Sequence, residues 1–293
     1  MDKILVIGSS GLVGGRLMEL GDGLYEMFGT CNSHEQKLDN VSKLDVRDRN
    51  DVFNLMEKIK PDCVIDTHSL SNVDYCETHA VEAWQVNVEG SKNIAEACRN
   101  FGCKYIFMST DYVFDGRKKE YTEKDKPRPL SYYAKTKFIA EQMLYALDLN
   151  YAVVRPAVIY GKGGMNKVSF PMWLMNELRA GRSARIVTDQ YENPTFADVL
   201  VKQMFGLYER DETGLFNATG SNCLSRMEFA LEIASVFGLD KDLLQPVTTP
   251  ELNQIAHRPV RVNLVTDKIE KATGVKSLAT TEGLLELKAQ IGE

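Results

Sequence analysis

No stretch of the 293 residues approaches the ~20 apolar positions that a membrane-spanning helix needs. The opening Lys3-Ile4-Leu5-Val6-Ile7 is already a strand pattern, with no charged n-region, apolar h-region and cleavage site, so neither a secretory leader nor a membrane partner is expected. An excess of cations is also missing. Lys and Arg number 35 against 41 Asp and Glu, the net charge is −6, and no basic run exceeds Arg117-Lys118-Lys119, which argues against a nucleic-acid partner. The six cysteines form no Cys-x-x-Cys pair and the four histidines no ligand-spaced cluster. We therefore expect no metal site, and reduced thiols in a cytoplasmic protein.

What is present reads as an ordinary globular chain, 44% hydrophobic and 26% charged, long enough for one large α/β domain or two modest ones. The apolar run 3–7 suits a strand buried on both faces of a parallel sheet. Gly8-Ser9-Ser10-Gly11-Leu12-Val13-Gly14 follows at once and opens a helical pattern, which is the context of a dinucleotide-binding turn. Gly8, Ser10, Gly11, Leu12, Val13 and Gly14 are thus candidate cofactor contacts, with the pyrophosphate at the helix N-terminus. The second strand spans 25–30. After it come Thr30-Cys31-Asn32-Ser33-His34, with no acid before Glu35. Neutral donors at Asn32 and Ser33, with Arg16 in reach, accommodate a 2′-phosphate, so NADP is favoured and NAD remains admissible.

Leu44 to Asp48 reads as a third strand, with Asp45 and Val46 as cofactor contacts, followed by a helix over 52–59 and a strand over 62–66. Residues 67–74 form a polar stretch, and 80–99 carries helical periodicity. His68, Ser69 and Asn87 are assigned to the cofactor wall, although His68 reads equally as a satisfied loop histidine. A strand at 104–108 delivers Ser109-Thr110-Asp111 to its carboxyl end, where open parallel sheets bind ligands. Tyr133 and Lys137 stand four apart and share one face of a predicted helix over 133–148. A nearby ammonium would pull the phenol below its usual ~10 and suit it to proton transfer. Tyr132 is the rival, but Thr136 is its partner at that spacing. A strand at 151–155 completes a Rossmann-type, doubly wound parallel sheet over 1–160. A smaller mixed α/β lobe over 161–293, interleaved with it, carries the substrate.

Taken in order, the glycine turn, Ser109-Thr110-Asp111-Tyr112-Val113-Phe114-Asp115-Gly116, Tyr133-x-x-x-Lys137, Asn193-Pro194-Thr195 and Arg258-Pro259 resemble the extended short-chain dehydrogenase/reductases. More narrowly, the chain is similar to their dTDP-4-dehydrorhamnose reductase branch. That resemblance implies NADPH-dependent reduction of the 4-keto group of a nucleotide-diphosphate-linked deoxysugar. Tyr133 would be the proton donor and Thr110 a second donor to the same oxygen, with Lys137 on the nicotinamide ribose. Ser71, Val73, Asp111, Val158, Asn193 and Arg258 would face the nucleotide-sugar substrate. Val158 stands where those reductases carry a Trp, and Asp66 to Ser71 depart from their Asn-Ala-Ala-Ala-Tyr-Thr, which leaves the sugar open. Dehydration is disfavoured because Tyr112 replaces the Glu of the related dehydratases. A sugar-nucleotide epimerase and an NADP-binding regulatory subunit, similar to the β-subunit of methionine adenosyltransferase, are the alternatives. A homodimer is the assembly to expect.

Overall fold

The computed structural model describes residues 1–32, 38–164 and 168–293. Ser33, singled out from the sequence, lies outside the described residues. The central sheet has seven strands. In chain order its first six are β1 (Lys3–Ile7), β2 (Glu26–Cys31), β3 (Val41–Lys43), β4 (Cys63–Asp66), β5 (Lys104–Met108) and β6 (Tyr151–Arg155). The seventh is Gly214–Asn217, and the spatial order is 214–217, β6, β5, β4, β1, β2, β3. Every neighbouring pair is parallel. Parallel strands need crossovers, and helices cover both faces.

The two faces follow from alternation along the apolar runs. Ile4, Val6, Ile65, Ile106 and Val154 meet Val13, Leu17 and the helix Ala197–Glu209 on one side. Leu5, Ile7, Val64, Phe107 and Val153 meet Val52, Met56, Ile94 and Leu144 on the other. The first face is therefore closed by a helix from the second half of the chain, and the strand at 214–217 follows it into the sheet. Around that framework, residues 170–179, 226–237 and 280–291 are helical, and strands 184–187 and 244–247 pair in parallel. Tyr160, Leu174, Phe229 and Ile233 form a separate core there.

The third strand lies at 41–43 and not at 44–48, as the sequence had suggested. Polar side chains end it. Asp45 accepts from Arg47 N (3.0 Å), a local turn, and Asp48 accepts from Asn50 N and Asp51 N, capping helix Arg49–Ile59. The polar stretch 67–74 runs into a helix at 73–78, capped by Asn72, whose side chain accepts from Tyr75 N (3.0 Å). The long helical pattern after residue 80 is interrupted by a π-turn at Gln85–Gly90. No helix among the described residues is long and apolar enough to cross a membrane.

Candidate active site

The turn after β1 is fixed by its glycines. Gly8 has φ +87°, a conformation costly for a residue with a Cβ. A Cβ on Gly14 would sit 2.2 Å from the Gly8 carbonyl oxygen, so only glycine lets the helix Leu12–Gly21 pack this close to β1. Gly11 is the residue before that helix, and no side chain caps it. The helix N-terminus opens toward a cavity of about 490 Å³, whose wall includes Gly11 to Gly14.

Across the carboxyl ends of β4, β5 and β6 the same cavity is lined by Ser69, Ser71, Ser109, Thr110, Asp111, Tyr133, Lys137 and Val158. Helix Tyr132–Ala146 delivers two of these, and the Ser131 side chain caps it by accepting from Ala134 N (3.3 Å). Tyr133 and Lys137 share its inner face, as the spacing predicts. Tyr132 is absent from the lining, and its backbone N–H donates to Glu77 (2.8 Å).

The electrostatics differ from the expected pairing. Burial pushes the Tyr133 phenol up to about 12 against the pull of the Thr110 and Ser69 hydroxyls, and Lys137 is not among the groups that move it. Burial also pushes the Lys137 ammonium down to about 8, against the carboxylates of Asp66 and Glu141. Lys137 Nζ has no hydrogen-bond partner among the described residues and lies 4.1 Å from the Phe107 ring centroid. Ser109 Oγ, on the same wall, also lacks one. A glycine cradle, an uncapped helix N-terminus and an unpartnered buried ammonium together fit a pyridine dinucleotide.

Several residues singled out from the sequence have other work. Arg16, read as within reach of a 2′-phosphate, is buried and bound by Asp198 through Nε (2.7 Å) and Nη2 (2.6 Å). Asn87 is fully buried, accepting from Leu70 N (2.8 Å) and donating to Leu70 O and Thr136 Oγ1, so it pins the 69–70 turn to helix 132–146 instead of lining the cavity. His68 bonds Asp66 Oδ1 (2.5 Å) and Val86 O (3.0 Å), again away from the lining. Asp45 holds Arg47, Val46 packs against Gly90, and Asn32 is exposed after β2. Asn193 donates to Gly220 O and Asn263 Oδ1 and accepts from Leu264 N, a buried clamp within the lobe and not a cavity residue. Val73 begins the helix at 73–78, outside the lining. Arg258 forks onto Asp74 (3.1 and 2.9 Å) beside a second cavity of about 180 Å³.

Sequence reasoning missed Glu192, Arg226 and Phe170, which line the large cavity. Glu192 adjoins the Asn193-Pro194-Thr195 stretch, and that neighbourhood was the one available signal. Val158, where a Trp was expected, lines the cavity and has φ +39°, unusual for a β-branched residue.

Similarity to known proteins agrees with this geometry. The family model described as RmlD substrate binding domain matches residues 1–291. A dTDP-4-dehydrorhamnose reductase of Aggregatibacter actinomycetemcomitans is 29% identical, over 99% of both chains. The methionine adenosyltransferase 2 subunit beta of Rattus norvegicus is 28% identical over 92% of this chain and 81% of its own. A crystal structure of dTDP-4-dehydrorhamnose reductase from Bacillus anthracis, in complex with NADP, superposes with a TM-score of 0.89 at 26% identity over 99% of both chains.

Proposed function

The chain belongs to the RmlD substrate binding domain family, and from that premise we propose that it reduces the 4-keto group of a nucleotide-diphosphate-linked deoxysugar with NADPH. The relatives named as dTDP-4-dehydrorhamnose reductases and the NADP-bound neighbour support this reading. The observation that carries it is the meeting of Tyr133, Thr110 and an unpaired, buried Lys137 with the glycine turn around one cavity. NADPH supplies the hydride. Lys137 holds the nicotinamide ribose, which gives its ammonium the partners it lacks. Tyr133, kept protonated by burial, gives its phenolic proton to the substrate oxygen, and Thr110 donates to the same oxygen as charge develops there.

The smaller cavity shares Tyr112, Phe170 and Arg226 with the larger and adds Trp173, Arg185 and Arg258. Cations and aromatic faces together suit a nucleoside diphosphate. Free cysteines and a pyridine-nucleotide reductant fit a reducing cytoplasm.

The test is NADPH oxidation against a panel of nucleotide-linked 4-keto sugars. Tyr133→Phe should lower turnover on the order of 10³-fold while NADPH binding, followed by fluorescence, stays near that of the parent. Equal turnover in the variant removes Tyr133 from the role. The relatives named as methionine adenosyltransferase subunits motivate a second reading, a regulatory subunit. A synthetase co-purifying at fixed stoichiometry, with no sugar reduced, would select it.

A further inference from the structure

Thr110 has one hydroxyl proton and three neighbours, the Tyr133 phenol, Tyr112 N and Asp111, the last two close to it in the chain. Its Oγ1 accepts from Tyr112 N (3.2 Å) and lies 3.2 Å from Asp111 Oδ1. Asp111 is 3% exposed and lines the large cavity, and its Oδ2 has no hydrogen-bond partner. The backbone leaves it little freedom, since Asp111 N donates to Pro156 O (3.0 Å) and Asp111 O accepts from Phe114 N (3.0 Å). From another element, strand Tyr191–Glu192, comes a second buried carboxylate on the same cavity wall. Glu192 is held by Arg226 Nη2 at 2.5 Å.

The protonation of Asp111 decides where the Thr110 proton points. An ionised Asp111 only accepts, so it captures that proton and leaves none for a substrate oxygen. A neutral Asp111 can donate to Thr110 Oγ1 instead and release the Thr110 proton to the cavity. The groups facing Asp111 are Glu192, Arg226, Tyr112, Tyr133 and Thr110. Burial and the Glu192 charge hold the carboxyl well above its usual range, outweighing Thr110 and Arg226.

We propose that Asp111 is carried as the neutral acid, kept so by its burial together with Glu192, and that in this form it turns the Thr110 hydroxyl toward the reacting oxygen. The proposal rests on the reductase reading above. Asp111 and Glu192 are positioning residues that act through Thr110. The neutral form is present below the Asp111 pKa and lost as pH rises through it, so donation by Thr110 fails on the alkaline side.

Glu192→Gln keeps an acceptor for Arg226 but removes the second of the two influences that hold the proton on Asp111, leaving burial against the pull of Arg226. With the 4-keto sugar nucleotide that the parent reduces fastest, the alkaline fall of kcat should be displaced to lower pH than in the parent, with KM little changed and parent-like turnover recovered as pH is lowered. Adding Asp111→Asn to that variant should restore turnover at every pH, because an amide donates to Thr110 without titrating. Infrared spectroscopy of the cofactor-free parent should show a protonated-carboxyl stretch at neutral pH, missing in Asp111→Asn and displaced to lower pH in Glu192→Gln. A parent pH profile preserved in Glu192→Gln, a double variant as slow as the single one, or no such band in the parent overturns the proposal. If the parent reduces no 4-keto sugar, the reductase reading falls and the infrared band alone decides the carboxyl pair.

Discussion

Lys137 and Arg155 are both 1% exposed, and both lie over a phenylalanine ring, at 4.1 Å from Phe107 and 5.2 Å from Phe114. Their surroundings otherwise differ. Arg155 forks onto Glu141 at 2.9 and 2.5 Å, tying β6 to helix 132–146. Lys137, one turn earlier on that helix, has no hydrogen-bond acceptor among the described residues. A buried charge without partners costs stability, whereas a forked pair repays most of its desolvation. Arg155 is therefore paired within the fold through Nε and Nη2, with Nη1 alone left without a partner. Lys137 is left for something that enters the cavity.

Breaking the completed pair should have the larger effect. Glu141→Gln leaves the Arg155 charge buried with a weaker acceptor, and should cost about 3–5 kcal/mol in chemical denaturation. A loss under ~1 kcal/mol would rank the pair with surface ion pairs and erase the contrast. Lys137→Met keeps the volume and removes the unpaired charge. The cofactor-free variant should gain roughly 3 kcal/mol at neutral pH, the cost implied by an ammonium held at about 8 against its ordinary 10.5. Under the proposed function, turnover should collapse in the same variant. Loss of stability instead would mean that the fold already satisfies Lys137.

The contrast was only half visible in the sequence. Spacing alone placed Tyr133 and Lys137 on one helical face, because a helix repeats locally and needs no tertiary information. The β1-turn-helix context was legible for the same reason, and the strands at 104–108 and 151–155 coincide with their apolar runs. Glu141 and Arg155 drew no notice, since nothing local says that a carboxylate on a helix will meet a guanidinium on the next strand. Asn87 and Asn193 show the opposite case. Polar residues beside a motif were read as ligand contacts, yet buried amides must spend their donors and acceptors on backbone, which only the packed structure reveals. Glu192 reaches the cavity from far along the chain, and local sequence does not encode that approach.

The smallest effect separates the two cations by pH. Below about 8, Lys137 is charged in both folded and unfolded chains, and the full cost of burying it is present. Between about 8 and 10.5 the unfolded chain holds a proton that the folded one has released. Lys137 then contributes a rise of stability with pH, by at most ~1.4 kcal/mol per unit, while the buried thiols of Cys63, Cys76 and Cys98, pushed up by burial, pull the other way. Tyr133 works the other way higher up, because a phenol held at about 12 keeps its proton after the unfolded chain has lost it, and stability falls above ~10. The Lys137 contribution is therefore confined to a window of about pH 8–10, and the difference between parent and Lys137→Met denaturation midpoints across that window measures it. It should vanish in Lys137→Met. In Glu141→Gln it should begin at lower pH, since Glu141 is one of the two carboxylates that support the ammonium. A parent curve that runs parallel to that of Lys137→Met across the window would mean that Lys137 is no more exposed to desolvation than Arg155, and the two buried cations would then be alike.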